Sequence, residues 1–166
     1  MRTLRRPFLA ILFACVLAPS SSAWAQLDIG VDRSLLSAQS AAAKEKAFKD
    51  IRAVGAIWFR DGPTSGSSQG IASYVDEVRR AKENHLKVLM PLVQMDEDYD
   101  GPLPTNQCGW KEKKMSAINL DKFATRVRRL LDALKGAGLT IDAMELGNED
   151  DLYCYDADVP NDHEAT

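Results

Sequence analysis

An amide and a carboxylate stand side by side at Asn148-Glu149, directly after the short run Ala143-Met144-Glu145-Leu146-Gly147. A carboxylate placed where a buried strand opens into a loop can exchange a proton with a bound substrate, and a neighbouring amide can hold that substrate through hydrogen bonds. If Glu149 points inward, strand alternation puts Gly147 and Glu145 inward too, while Met144, Leu146 and Asn148 point the other way; twist at the strand end can still bring Asn148 to the rim. A second polar strand end occurs at Trp58-Phe59-Arg60-Asp61-Gly62, where Trp58 and Arg60 share one face. A guanidinium there suits carboxylate pairing, with a structural acid as readily as with a catalytic one.

Other groupings carry less. Asp96, Asp98, Asp100 and Gly101 have the D-x-D-x-D-G order of a calcium loop, but the twelfth position is Gln107 and the segment follows a strand. A solvated acidic loop is the better reading, and no metal is assigned. Tyr99 and Trp110 in the same stretch are candidates for stacking on a ring or for packing the loop down. Gly62, Gly66 and Gly70 match neither phosphate-loop spacing, and His85 and His163 have no partners spaced for zinc or a triad.

The elements that position these residues are four short apolar runs, at 27–32, 56–60, 86–93 and 141–147, alternating with helical patterns. Ala42, Ala43, Ala47, Phe48 and Ile51 mark a helix within 38–54, with Gly55 as its stop. Ile71, Tyr74, Val75, Val78 and Ala81 mark a second, ending near Asn84 or His85. Asn119 caps a third that runs to about Lys135, with Leu120, Phe123, Val127, Leu130, Leu131 and Leu134 on one side. This alternation predicts an α/β chain of about four parallel strands and three helices in consecutive βα units. Residues 94–118 form a long irregular connection, of the kind that is usually functional or disordered. The polar stretch 148–166 has no periodic pattern and no evident packing partner.

Glu145-Leu146-Gly147-Asn148-Glu149 on a fourth strand resembles the Asn-Glu signature of clan A glycoside hydrolases, which are TIM-type (β/α)8 barrels with sites at the C-terminal strand ends. The resemblance implies that Glu149 is the general acid/base and that Asn148 holds the sugar 2-hydroxyl. Arg60 fits the arginine that many members carry at the end of the second strand to brace the nucleophile, with Trp58 on the same side. Asp150 stands where a proline is frequent. A retaining mechanism needs a second carboxylate about 5 to 5.5 Å from the first, and the family carries it on the seventh strand. These 166 residues hold the first half of such a barrel, which typically takes about 250. The expectation is therefore a partial barrel, inactive alone for want of the nucleophile strand. The alternative is a non-catalytic carbohydrate-binding or assembly half-barrel; a doubly wound α/β binding protein is a third possibility.

Residues 1–25 read as a signal peptide: Arg2, Arg5 and Arg6 precede an apolar run that is too short to span a bilayer, and Ala23-Trp24-Ala25 has the form of a cleavage site. Arg5-Arg6 also suits twin-arginine export. Residues 26–166 then form one unit, secreted or periplasmic, with no membrane association after cleavage. A net charge of −3 with no basic cluster outside the leader argues against nucleic acid as a partner. The expected partner is carbohydrate, with no cofactor, and open sheet edges invite self-association. Cys108 and Cys154, left as a pair once Cys15 departs, form a disulfide candidate between the loops after the third and fourth strands.

Overall fold

A computed structural model describes residues 28–32, 36–106, 108–147 and 156–158. The predicted leader, Asn148, Glu149, Cys154 and His163 lie outside the described residues. Four strands, β1 (Gly30–Asp32), β2 (Trp58–Arg60), β3 (Lys87–Leu92) and β4 (Ala143–Leu146), form one all-parallel sheet in the order β1-β2-β3-β4. They alternate with α1 (Ala41–Ala53), α2 (Ser68–Glu83) and α3 (Leu120–Gly136). Parallel crossovers share a hand, so steps that all run in one direction place every helix on the same face of the sheet.

Each helix starts and stops where its side chains dictate. Ser40 Oγ accepts from Ala43 N, Ser67 Oγ from Gly70 N, and Asn119 Oδ1 from Asp121 N and Lys122 N, so donors with no intrahelical partner are capped. Left-handed backbone follows each end, at Gly55 (φ 80°), His85 (φ 58°) and Gly138 (φ 70°). His85 is the one non-glycine residue with positive φ among the described residues, at a helix end where glycine is usual.

The core lies between the helices and one sheet face. Phe48 and Ile51 of α1, Tyr74, Val78 and Ala81 of α2, and Leu130 and Leu134 of α3 pack with Phe59, Val88, Met90 and Leu92. The Phe48 and Phe59 rings meet edge to face at 5.0 Å. Full burial of such a side chain contributes about 1.5–3 kcal/mol.

Three helix faces differ from the expected ones, each through a charged residue. In α1, Lys44 is buried while Ala42 and Ala43 are exposed, because Phe48 and Ile51 set the helix phase and Lys44 lies one and two turns before them. In α2, Glu77 joins the buried stripe. In α3, Arg126 is buried in line with Leu130 and Leu134, whereas Leu120 is 74% and Leu131 38% exposed. The stretch 156–158 also has a packing partner, against expectation: Met115 N and Ser116 N donate to Asp156 and Asp158, and Ala157 N donates to Lys113 O.

Candidate active site

The sheet face away from the helices carries an ionic chain. Register places Asp32 beside Arg60, both at the C-terminal ends of their strands, and Glu145 beside Pro91. Arg60 Nη1 donates to Asp32 Oδ2 at 2.6 Å and Arg60 Nε to Glu145 Oε2 at 2.8 Å. The hydrogen bond to Glu145 raises the Arg60 pKa from its already high value; burial opposes this and Asp32 reinforces it. Arg60 is thus a fixed cation held between two carboxylates, and each of its acids is still substantially open to water (Asp32 48%, Glu145 40%). Such a surface can offer hydrogen-bond acceptors to hydroxyl groups while the guanidinium offsets one of the two negative charges.

Trp58 lies on the same face two residues earlier. Its Nε1 donates to Asp28 Oδ2 at 3.2 Å, and Lys87 Nζ sits 5.0 Å above the ring while pairing with Asp28 at 3.5 Å. The indole is therefore engaged toward the N-terminal strand ends, below the Arg60 level.

At the strand ends the chain turns away at once. Gly147 N donates to Leu92 O, and Gly147 has φ 80°, a left-handed conformation that interrupts the pleat. Alternation observed through β4, with Glu145 beside Arg60 and Met144 and Leu146 on the helix face, therefore stops at Leu146. It cannot be extended to the direction of Glu149. Met144 and Leu146 are level with Met90 and Leu92, yet they remain 56% and 83% exposed.

The long connection between β3 and α3 is pinned rather than loose. Asp98 is fully buried and accepts from Arg126 Nε and Nη2 at 2.7–3.1 Å, and from Met95 N at 2.8 Å; Arg126 Nη2 also donates to Val93 O. Gly66 fits beneath this pair, since a Cβ there would fall 2.2 Å from Glu97 Oε1 and 2.4 Å from Arg126 Cδ. The calcium-loop pattern does not converge on one cation. Asp98 serves Arg126, Asp100 serves Lys122 and Asn119, and Asp96 pairs with Lys113. No cluster of three or more potential metal ligands occurs among the described residues.

Of the two aromatics in this connection, Tyr99 is buried and Trp110 is 49% exposed. Trp110 rides on a short hairpin closed by Asn106 N to Trp110 O and by a Thr105–Lys111 bridge, with Gly109 at φ 78° in its turn. Cys108, at the tip, is disulfide-bonded; its expected partner Cys154 lies outside the described residues. The segment 156–158 docks on the same connection at residues 113–116.

Sequence reasoning singled out Arg60, Trp58, Asn148 and Glu149. The structure adds Asp32 and Glu145 as the partners of Arg60, and Asp28 and Lys87 as those of Trp58. Asp32 had a legible signal, as an acid closing the first apolar run beside a strand that ends in arginine. Among the described residues no helix is long and apolar enough to cross a membrane. Comparison with protein-family models and with curated proteins returns no match to this chain.

Proposed function

We propose that these strands form part of a (β/α)8 barrel whose helix-free face binds carbohydrate, and that the chain is the N-terminal half of a retaining glycoside hydrolase. The observation that carries this reading is the Arg60 guanidinium at the C-terminal end of β2, joined to Asp32 and Glu145 on the uncovered face. Barrel active sites lie at that end of the strands. The unreversed order β1-β2-β3-β4 also supports it, because a doubly wound sheet reverses its strand order at a switch point, and the described strands contain none.

In this reading Glu149 protonates the leaving oxygen, Asn148 holds the 2-hydroxyl, Arg60 keeps the acidic rim in place and Trp58 forms the floor. Protonation and nucleophilic attack require two carboxylates, and the second is carried by a strand beyond these four. The 166-residue chain thus binds sugar without turning it over. Loss of residues 1–25 on export places it outside the cytoplasm, and the disulfide at Cys108 suits an oxidising compartment.

The test is calorimetric titration of the purified chain with a panel of oligosaccharides, alongside turnover assays on aryl glycosides. Binding that Arg60→Ala weakens, without turnover, is the expected result. Turnover abolished by Glu149→Gln would keep the family assignment and discard the missing nucleophile. No binding to any sugar would remove the reading.

A further inference from the structure

The charge at the strand ends narrows the kind of sugar that the helix-free face can take, and this step rests on the sugar-binding reading above. Arg60 is committed to the protein's own acids, through Nη1 to Asp32 at 2.6 Å and through Nε to Glu145 at 2.8 Å. Lys87 is the other cation of this face among the described residues. It pairs with Asp28 at 3.5 Å and sits 5.0 Å over the Trp58 ring, toward the opposite ends of the strands. Glu145 stands differently, because it is 40% open to water and shares Arg60 with Asp32. Its ion pair uses Oε2, which leaves Oε1 as an acceptor for a ligand.

The sequence around the site tips the balance the same way. Residues 32–33, 60–61, 92–96 and 145–151, which end the four strands and follow them in the chain, hold seven acids and two cations, Arg33 and Arg60. Lys113 offsets Asp96 at 3.4 Å, and the balance stays negative. The stretch 148–166 contains no lysine or arginine. A cleft lined mainly by one sign of charge concentrates ligands of the opposite sign and repels its own.

We propose that the sugar taken at the helix-free face carries a free amino group, with Glu145 accepting from the ammonium, and that sugars bearing carboxylates are turned away. A sugar ammonium is a compact donor of three hydrogens that Glu145 and Asp32 share, while the neighbouring hydroxyls donate and accept as in a neutral sugar. A uronic carboxylate needs a guanidinium, and the one at this level already serves two acids. Glu145 is thus the residue that sets the preference.

The test is calorimetric titration of the whole chain with three β-1,4-linked trisaccharides, of glucose, glucosamine and glucuronate. It is run at low salt and at about pH 6, below the ordinary α-amino range of roughly 7.7–8.0. The glucosamine trimer should bind about two- to fivefold tighter than the glucose trimer, the scale of a water-exposed ion pair. The glucuronate trimer should bind weakest, and added salt should shrink both differences. Glu145→Gln should erase the amine preference and narrow the gap to glucuronate, because Arg60 then loses one of its acids. Should that variant fail to fold, the salt series on the wild-type chain decides, and a preference unchanged by salt would overturn the proposal. Equal binding of the three trimers, or tightest binding of glucuronate, would overturn it and leave the sugar reading standing. Spermidine, which carries three amines without the rings, would also overturn it by binding as tightly as the glucosamine trimer. So would failure of all three trimers to bind, and the wider neutral panel then shows whether the sugar reading falls too.

Discussion

Arg60 reaches from β2 across β3 to Glu145 on β4, donating from Nε at 2.8 Å, while its Nη1 holds Asp32 on β1 at 2.6 Å. A single planar cation thus spans the sheet on its helix-free face, a task that needs two donors in fixed relation. Arg60→Lys should keep one partner at a time, and Arg60→Met neither. Because both acids remain open to water, the loss for Arg60→Met is about 1 kcal/mol, read as a lower urea midpoint with unchanged slope. Wild-type stability for Arg60→Met would show that the chain of charges does not brace the sheet.

The Asp98–Arg126 pair should behave differently, because its side chains are 0% and 4% exposed. Arg126→Met leaves Asp98 buried without its cation, at a cost of about 3–5 kcal/mol. Asp98→Asn combined with Arg126→Met should lose less than the two single losses together, since neither charge is then stranded. Additive losses in urea unfolding would mean that the two residues act separately.

Strand and helix order was legible because it rests on period and punctuation. Asn119 before the third helix and Gly55 after the first mark boundaries that the backbone respects within a few residues. Lys44, Glu77 and Arg126 were not read as interior, because charge overrides position in a hydrophobicity count even where spacing from Phe48, Tyr74 and Leu130 puts them in the buried stripe. Each is buried with charged neighbours supplied from elsewhere in the chain: Asp76 for Lys44, Asp61 for Glu77, Asp98 for Arg126. No local pattern encodes those pairs. At the candidate site Arg60 was legible as a strand-terminal cation, but the positive φ of Gly147, which ends the alternation used to aim Glu149, shows only in the backbone.

The hairpin bearing Trp110 should depend on the bond at Cys108. Non-reducing peptide mapping is expected to recover Cys108 joined to Cys154, tying the connection before α3 to the segment after β4. Cys108→Ser should speed protease cleavage within residues 102–114 several-fold while leaving cleavage in α1 and α2 unchanged. Recovery of Cys108 with Cys15, or as a free thiol, would contradict this pairing.

Met144 and Leu146 leave an apolar strip on β4 open to water beside the partly exposed Leu131 of α3. Exposed apolar strips next to an open strand favour association. Light scattering of the 166-residue chain should show mass rising with concentration, and Leu146→Lys should lower that tendency. A monodisperse monomer up to roughly the millimolar range, far above the micromolar threshold at which exposed apolar surface becomes hazardous, would remove this expectation.

The most direct test of sugar binding at the helix-free face is a two-dimensional NMR titration that follows the Trp58 indole Nε1–H and the Arg60 guanidinium Nε–H as oligosaccharide is added. Sugar binding at this face should give saturable shifts of the Arg60 signal, smaller ones at Trp58, and none at the Arg126 guanidinium, which is buried on the helix side. Shifts confined to Trp110 or to the helix surface, or no shift with any sugar, would contradict it.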